Sequence, residues 1–147
     1  HFAGHFVYGG ANLRQIVDYA LVVKNANLNS DNNQIDWERV KALAIEGGYF
    51  KFLCCLNGIC IDHIGIPSDC FPNWPRYKDI GERMLAEVLN PTSVDVHSLP
   101  SKIKRYFKNR WKYQLVYSKE SHLKGFLLRI RSWVNWKWGK KSVWNRK

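Results

Sequence analysis

The run from Tyr49 to Ile64 constrains this chain most, with Gly47-Gly48 before it and Gly65 and Pro67 after it. It holds Phe50, Leu53, Cys54, Leu56, Ile59, Cys60, Ile61 and Ile64. A segment this apolar, with no strand-like alternation, reads as the central helix of a bundle, buried on most sides.

The flanking segments show helical periodicity as well. Leu13, Ile16, Val17, Ala20 and Leu21 repeat at helical spacing after Gly9-Gly10, and an Asn-rich loop from Asn25 to Asn33 is expected to end that helix. Trp37, Val40, Leu43 and Ala44 form the stripe of the next helix, which Gly47-Gly48 closes. Asp36 and Glu38 suit its start, where the helix dipole favours negative charge. Pro67, Pro72 and Pro75 make 66–78 a loop, and Ile80 to Leu89 is a shorter helix stopped by Asn90-Pro91.

The last third changes character. Ile103, Tyr106, Phe107, Arg110, Trp111 and Gln114 recur at helical spacing, and Leu123, Phe126, Leu127, Ile130 and Val134 do so in a second helix. Only Gln114 to Tyr117 hints at extended structure, and no internal repeat is evident. The expected fold is therefore all-α: an irregular bundle of five to six helices with a basic C-terminal helical arm. The body spans 1–95, and the aromatic-rich arm, 96–147, packs on it. A length of 147 residues suits this arrangement.

Charge separates the two parts. Residues 1–95 carry 8 Lys/Arg and 11 Asp/Glu; residues 96–147 carry 15 Lys/Arg and one acid, Glu120. A near-neutral body with a basic arm suggests an anionic partner for the arm, or else a solvated basic face. Arg105, Arg110, Lys112, Arg129 and Arg131, interleaved with Trp, could grip phosphates while the rings stack or enter a membrane interface. Nucleic acid and anionic lipid are thus partner candidates.

Cys54, Cys55, Cys60 and Cys70 show no Cys-x-x-Cys spacing, so buried free thiols in a reducing, cytoplasmic compartment are expected rather than a zinc site. Apolar surroundings raise thiol pKa and make such cysteines inert. No run of about 18 apolar residues is present for a transmembrane span, and no signal-like leader is visible. The opening His1 to Tyr8 looks like the middle of a helix, so the chain is expected to be a piece of something longer.

Few constellations suggest chemistry. His1 and His5 are four apart but lack the intervening Glu of a metalloprotease helix. Gly9-Gly10 before a helix could cradle phosphate, but neither a preceding strand nor a following Lys-Ser/Thr is present. Asp36 and Glu38 diverge on a helix and make a poor metal clamp. No Ser-His-Asp or Cys-His arrangement can be justified from spacing.

Five stretches carry a family resemblance. They are Gly9-Gly10-Ala11-Asn12-Leu13-Arg14-Gln15-Ile16-Val17-Asp18-Tyr19, Ile35-Asp36-Trp37-Glu38-Arg39-Val40, Asn57-Gly58-Ile59-Cys60, Gly65-Ile66-Pro67-Ser68-Asp69-Cys70-Phe71 and Asn109-Arg110-Trp111-Lys112-Tyr113. In this order they resemble the helical part of the uncharacterised nucleotidyltransferase-like family of Bacteroides-type bacteria. The resemblance implies a catalytic domain of the polymerase-β-like fold preceding this chain. There, a Gly-Ser turn holds an NTP and strand-borne carboxylates hold Mg²⁺ for in-line attack. This chain has neither, so the resemblance implies that it forms the substrate- and nucleotide-side helical portion, inactive alone and docked on its own N-terminal catalytic domain. It also makes Arg14 the candidate for reaching a phosphate, with Asp18 orienting it and His5, Gly9 and Gly10 on the same wall. Arg110 and Lys112 are secondary candidates. No catalytic carboxylate and no metal ligand is assigned, and Mg²⁺ and NTP are expected only with the catalytic domain.

Overall fold

The computed structural model describes residues 2–8, 10–28, 35–90 and 99–119. Among these residues the seven helices are α1 (Phe2–Tyr8), α2 (Leu13–Leu28), α3 (Trp37–Glu46), α4 (Phe50–Asp62), α5 (Lys78–Leu89), α6 (Leu99–Lys108) and α7 (Arg110–Val116). A single 3₁₀ turn, Ser68–Cys70, interrupts the loop between α4 and α5. Among the described residues every regular element is helical, so the fold is the expected all-α bundle.

The central helix is α4. Phe52, Cys54, Cys55, Leu56, Ile59 and Cys60 are all buried, and α2, α3, α5 and α7 pack around it. Ile16, Ala20 and Val23 of α2 join this core, as do Met84 and Val88 of α5 and Leu115 and Val116 of α7. Each fully buried side chain of this size contributes roughly 1.5–3 kcal/mol relative to exposure. Phe6 of α1 stacks against both Phe52 and Trp111, with ring centroids 5.6 Å apart in each case.

Local chemistry fixes the helix ends. Asp36 caps α3, its Oδ1 accepting from the Arg39 amide at 2.9 Å. Asn12 and Gln15 cap α2 reciprocally: the Asn12 amide donates to Gln15 Oε1 at 3.1 Å, and the Gln15 amide to Asn12 Oδ1 at 3.2 Å. This is a capping box with Asn and Gln in its two positions. Gly48 takes a φ of 75° in the α3–α4 turn, a left-handed value that glycine adopts without strain. The end of α7 is tied to this turn, where Ser118 Oγ donates to the Gly48 carbonyl at 2.6 Å.

Several local expectations need correction. Helix α2 does not stop at Asn25 but runs to Leu28, because Asn27 Nδ2 donates to the Val23 carbonyl (2.8 Å) and the Cys70 carbonyl (3.1 Å), anchoring the last turn on the 3₁₀ segment. Its buried face is Ile16, Ala20 and Val23, leaving Leu13 and Leu21 exposed. On α3, Leu43 is likewise exposed while Ala44 is buried. The periodic stretch 103–114 is broken at Asn109 into α6 and α7. The hint of extension at Gln114 to Tyr117 is overturned too, since α7 continues helically through Val116. The helix expected over Leu123 to Val134 lies outside the described residues.

Candidate functional site

Three prolines hold the segment after α4 in an irregular path. Pro fixes φ and disfavours helix in the residue before it, so 66–77 cannot coil onto α4. Instead the segment stands off, anchored by the buried ring of Phe71. Trp74 meets Trp37 edge-on at 5.5 Å and Phe50 at 5.0 Å, and Trp37 lies 6.2 Å from Phe71. At its far end, Arg76 Nη2 donates to Asp62 Oδ1 at 2.6 Å.

Between this segment and α4 lies a cavity of about 400 Å³. Such a volume lies within the range of small-molecule sites. Cys54, Asn57, Gly58 and Ile61 form the helix wall; Ser68, Asp69, Phe71, Trp74 and Arg76 belong to the opposite wall. The helix wall has room at Gly58, where a Cβ would meet no atom within 4 Å.

Asn57 is the buried polar side chain of this wall, 5% exposed. Its Oδ1 accepts from the Tyr19 hydroxyl at 2.6 Å. Burial, with the neighbouring Cys60 and Cys54 adding to it, pushes the Tyr19 phenol well above its ordinary pKa, so it stays a neutral donor. Asn57 Nδ2, by contrast, is buried with no hydrogen-bond partner. A donor left this way costs roughly 1–3 kcal/mol.

The thiols nearby supply no nucleophile. Burial pushes Cys54 and Cys55 up to about 11 and Cys60 up to about 12. All four cysteines are free, and the three on α4 are buried, as the spacing suggested. On the other side of Gly58, His63 Nε2 and Glu82 Oε1 lie 2.8 Å apart. The space there is only about 10 Å³, roughly one water.

The residues singled out in the sequence do not gather into one site. His5 and Gly10 do meet: the Gly10 amide donates to the His5 carbonyl at 2.9 Å, and a Cβ on Gly10 would sit 3.1 Å from the His5 ring. Gly9 lies outside the described residues. Arg14 and Asp18 face each other across 3.8 Å on the outside of α2, with side chains 87% and 62% exposed. Arg110 is exposed at the start of α7.

Lys112 has a different place from the one its sequence context suggested. It is not on the basic surface: its side chain is 2% exposed, and Nζ donates to Glu87 Oε1 at 2.6 Å. Leu115 and Val116 on the same short helix must face the core, and that carries Lys112 inward with them. Arg105, Arg129 and Arg131 have no described side chains.

The Mg²⁺ implied by the resemblance can be tested against the donors present. Among the described residues no group of three or more His, Cys, Asp and Glu is close enough to hold a metal ion. Asp36 caps α3, Asp62 is bonded to Arg76 and Glu82 faces His63. These residues do not fit the ion. No described helix is long and apolar enough to cross a membrane.

Asn57 and Trp74 were not picked out as site residues. The signal was present in part: an Asn inside an otherwise apolar helical run, and a Trp in a proline-rich loop, both call for a reason. No family model, no curated protein and no solved structure matches the chain.

Proposed function

We propose that this chain is the substrate-side helical portion of a nucleotidyltransferase-like protein, with the phosphoryl-transfer carboxylates supplied by polypeptide outside it. One observation carries the reading. Two of the five stretches that bear the resemblance line the same cavity, and two more pack against its lining residues. Asn57 and Gly58 come from one, and Ser68, Asp69 and Phe71 from another; all five residues line it. Tyr19, closing the first stretch, bonds Asn57, and Trp37 of the second packs on Phe71 and Trp74. Two stretches thus line one pocket and two others brace its walls, as a substrate pocket requires.

The chain's role in this reading is to bind and orient an acceptor, because positioning is a large part of catalysis by such enzymes. The test is calorimetric titration of NTP–Mg²⁺ into this chain and into the gene product including whatever precedes His1. Saturable binding by the longer polypeptide, absent from the shorter, is the expected result. A longer polypeptide that takes no nucleotide overturns the reading.

A second reading has its own support. Lys104, Lys108, Arg110 and Lys119 are all exposed along α6, α7 and the following turn, beside the exposed ring of Phe107. Such a surface suits an anionic polymer, nucleic acid above all. Binding of an oligonucleotide would weaken steeply with salt as counterions are released. It would also be lost on changing Lys104, Lys108, Arg110 and Lys119 together to Ala, and retention after that change rules this surface out.

A further inference from the structure

Residues 99–119, which form α6, α7 and the turn after them, hold seven Lys and Arg and no Asp or Glu. One of the seven, Lys112, is turned inward onto Glu87. Lys104, Lys108, Arg110 and Lys119 are exposed. Lys104 and Lys108 stand four apart on one face of α6, a spacing at which like charges repel and weaken a helix. A phosphate placed between them turns that repulsion into two charge-assisted contacts.

Phe107 stands between these two lysines in sequence and is 59% exposed. Its ring lies edge-on to that of Tyr106, with centroids 5.7 Å apart. Residues three apart on a helix are neighbours, so the ring sits beside Lys104. An exposed ring among cations carries information that charge alone does not. Duplex bases are stacked on one another and offer a protein only their edges, whereas a single strand presents base faces. A helix lying in a membrane interface needs a broad apolar face. Among the described side chains of α6 and α7, Phe107 is the one large apolar group exposed.

We infer that the α6–α7 surface binds single-stranded nucleic acid, with one base stacked on Phe107 and its flanking phosphates on Lys104 and Lys108. This deepens the second reading above and rests on it, since the surface must first take nucleic acid at all. Arg110, at the start of α7, extends the cationic track past the ring. Stacking selects the strand type and not the sequence, because every base has a π-face.

The test uses the full chain and fluorescence anisotropy of labelled oligo-dT, oligo-rU and a DNA duplex of the same length. Far-UV circular dichroism checks that each variant keeps its helices. Phe107→Ala should weaken binding of at least one single strand about tenfold, the loss of one stacked base, and leave the duplex within about twofold. Phe107→Leu keeps apolar bulk without a π-face, so it should lose as much; Phe107→Trp should bind at least as well as the parent. Lys104→Ala combined with Lys108→Ala should flatten the salt dependence of single-strand binding by about two phosphate contacts.

Equal losses for single strand and duplex on Phe107→Ala, or no loss for either, overturn the inference and leave a surface that responds to charge alone. Full binding by Phe107→Leu overturns it too, by reducing the stack to a greasy contact. So does binding to phosphatidylserine vesicles through Phe107 when neither single strand binds. No binding of any oligonucleotide at low salt sinks the inference together with the reading beneath it.

Discussion

Two buried polar side chains, Lys112 and Asn57, sit on opposite sides of this bundle and have opposite fates. Under α1, Lys112 is sealed against Glu87 at 2.6 Å, with its ammonium 5.4 Å from the Phe6 ring centroid. Asn57 belongs to the helix wall of an open space of about 400 Å³, yet its Nδ2 is buried away from that space and unmatched. The α1–α5–α7 side is closed, and its polar pair is part of what holds it together. The α4–loop side is left open, but its unmatched donor is packed away from the opening. Burial alone therefore does not tell whether a polar side chain is satisfied; the state of its hydrogen bonds does.

The largest effect should come from breaking the closed side. Lys112→Met takes away the ammonium that Glu87 Oε1 accepts from at 2.6 Å, and removing one partner of a buried pair costs about 3 kcal/mol. Urea unfolding followed by circular dichroism would show it, and a further Glu87→Leu change should recover most of the loss. A midpoint unmoved by Lys112→Met would mean that this side is not closed. On the open side, Tyr19→Phe deletes the 2.6 Å bond to Asn57 Oδ1 and should cost about 1 kcal/mol in the same assay.

Smaller changes sharpen the contrast. Gly58→Ala should stabilise α4 by about 0.5–1 kcal/mol, since glycine is a poor helix residue and the added methyl meets nothing within 4 Å. A loss instead would mean that the cavity wall is tighter than it looks. Least of all should come from Arg14→Ala. The 3.8 Å pair it breaks is wide and exposed, and thermal melts should change by less than about 0.5 kcal/mol equivalent.

The helices were legible because their signals are local. The apolar content of 49–64, the Asp36 cap and the Gly47-Gly48 stop all act within a turn or two. What escaped depends on distant partners. The length of α2 is set by Asn27 reaching Cys70, 43 positions away. Lys112 reads as one more cation in a basic third of the chain, and only Glu87, 25 positions earlier, shows otherwise. The cavity was illegible for the same reason: its walls are α4 and a loop whose stand-off distance depends on where Phe71 and Trp74 find rings to rest on. Arg14 drew notice through spacing alone, which finds neighbours on a helix but not their exposure.

The three sealed thiols of α4 have one more consequence. Held as thiols up to about pH 11, they are shielded from oxidants that act on thiolates. Cys70 is pushed up as well, by burial and by the neighbouring Asp69 carboxylate, but it alone of the four is not buried, so it should react first. Damage to α4 would follow only when the bundle opens, so modification of Cys60, the least exposed of the four, would record how often this protein has come apart.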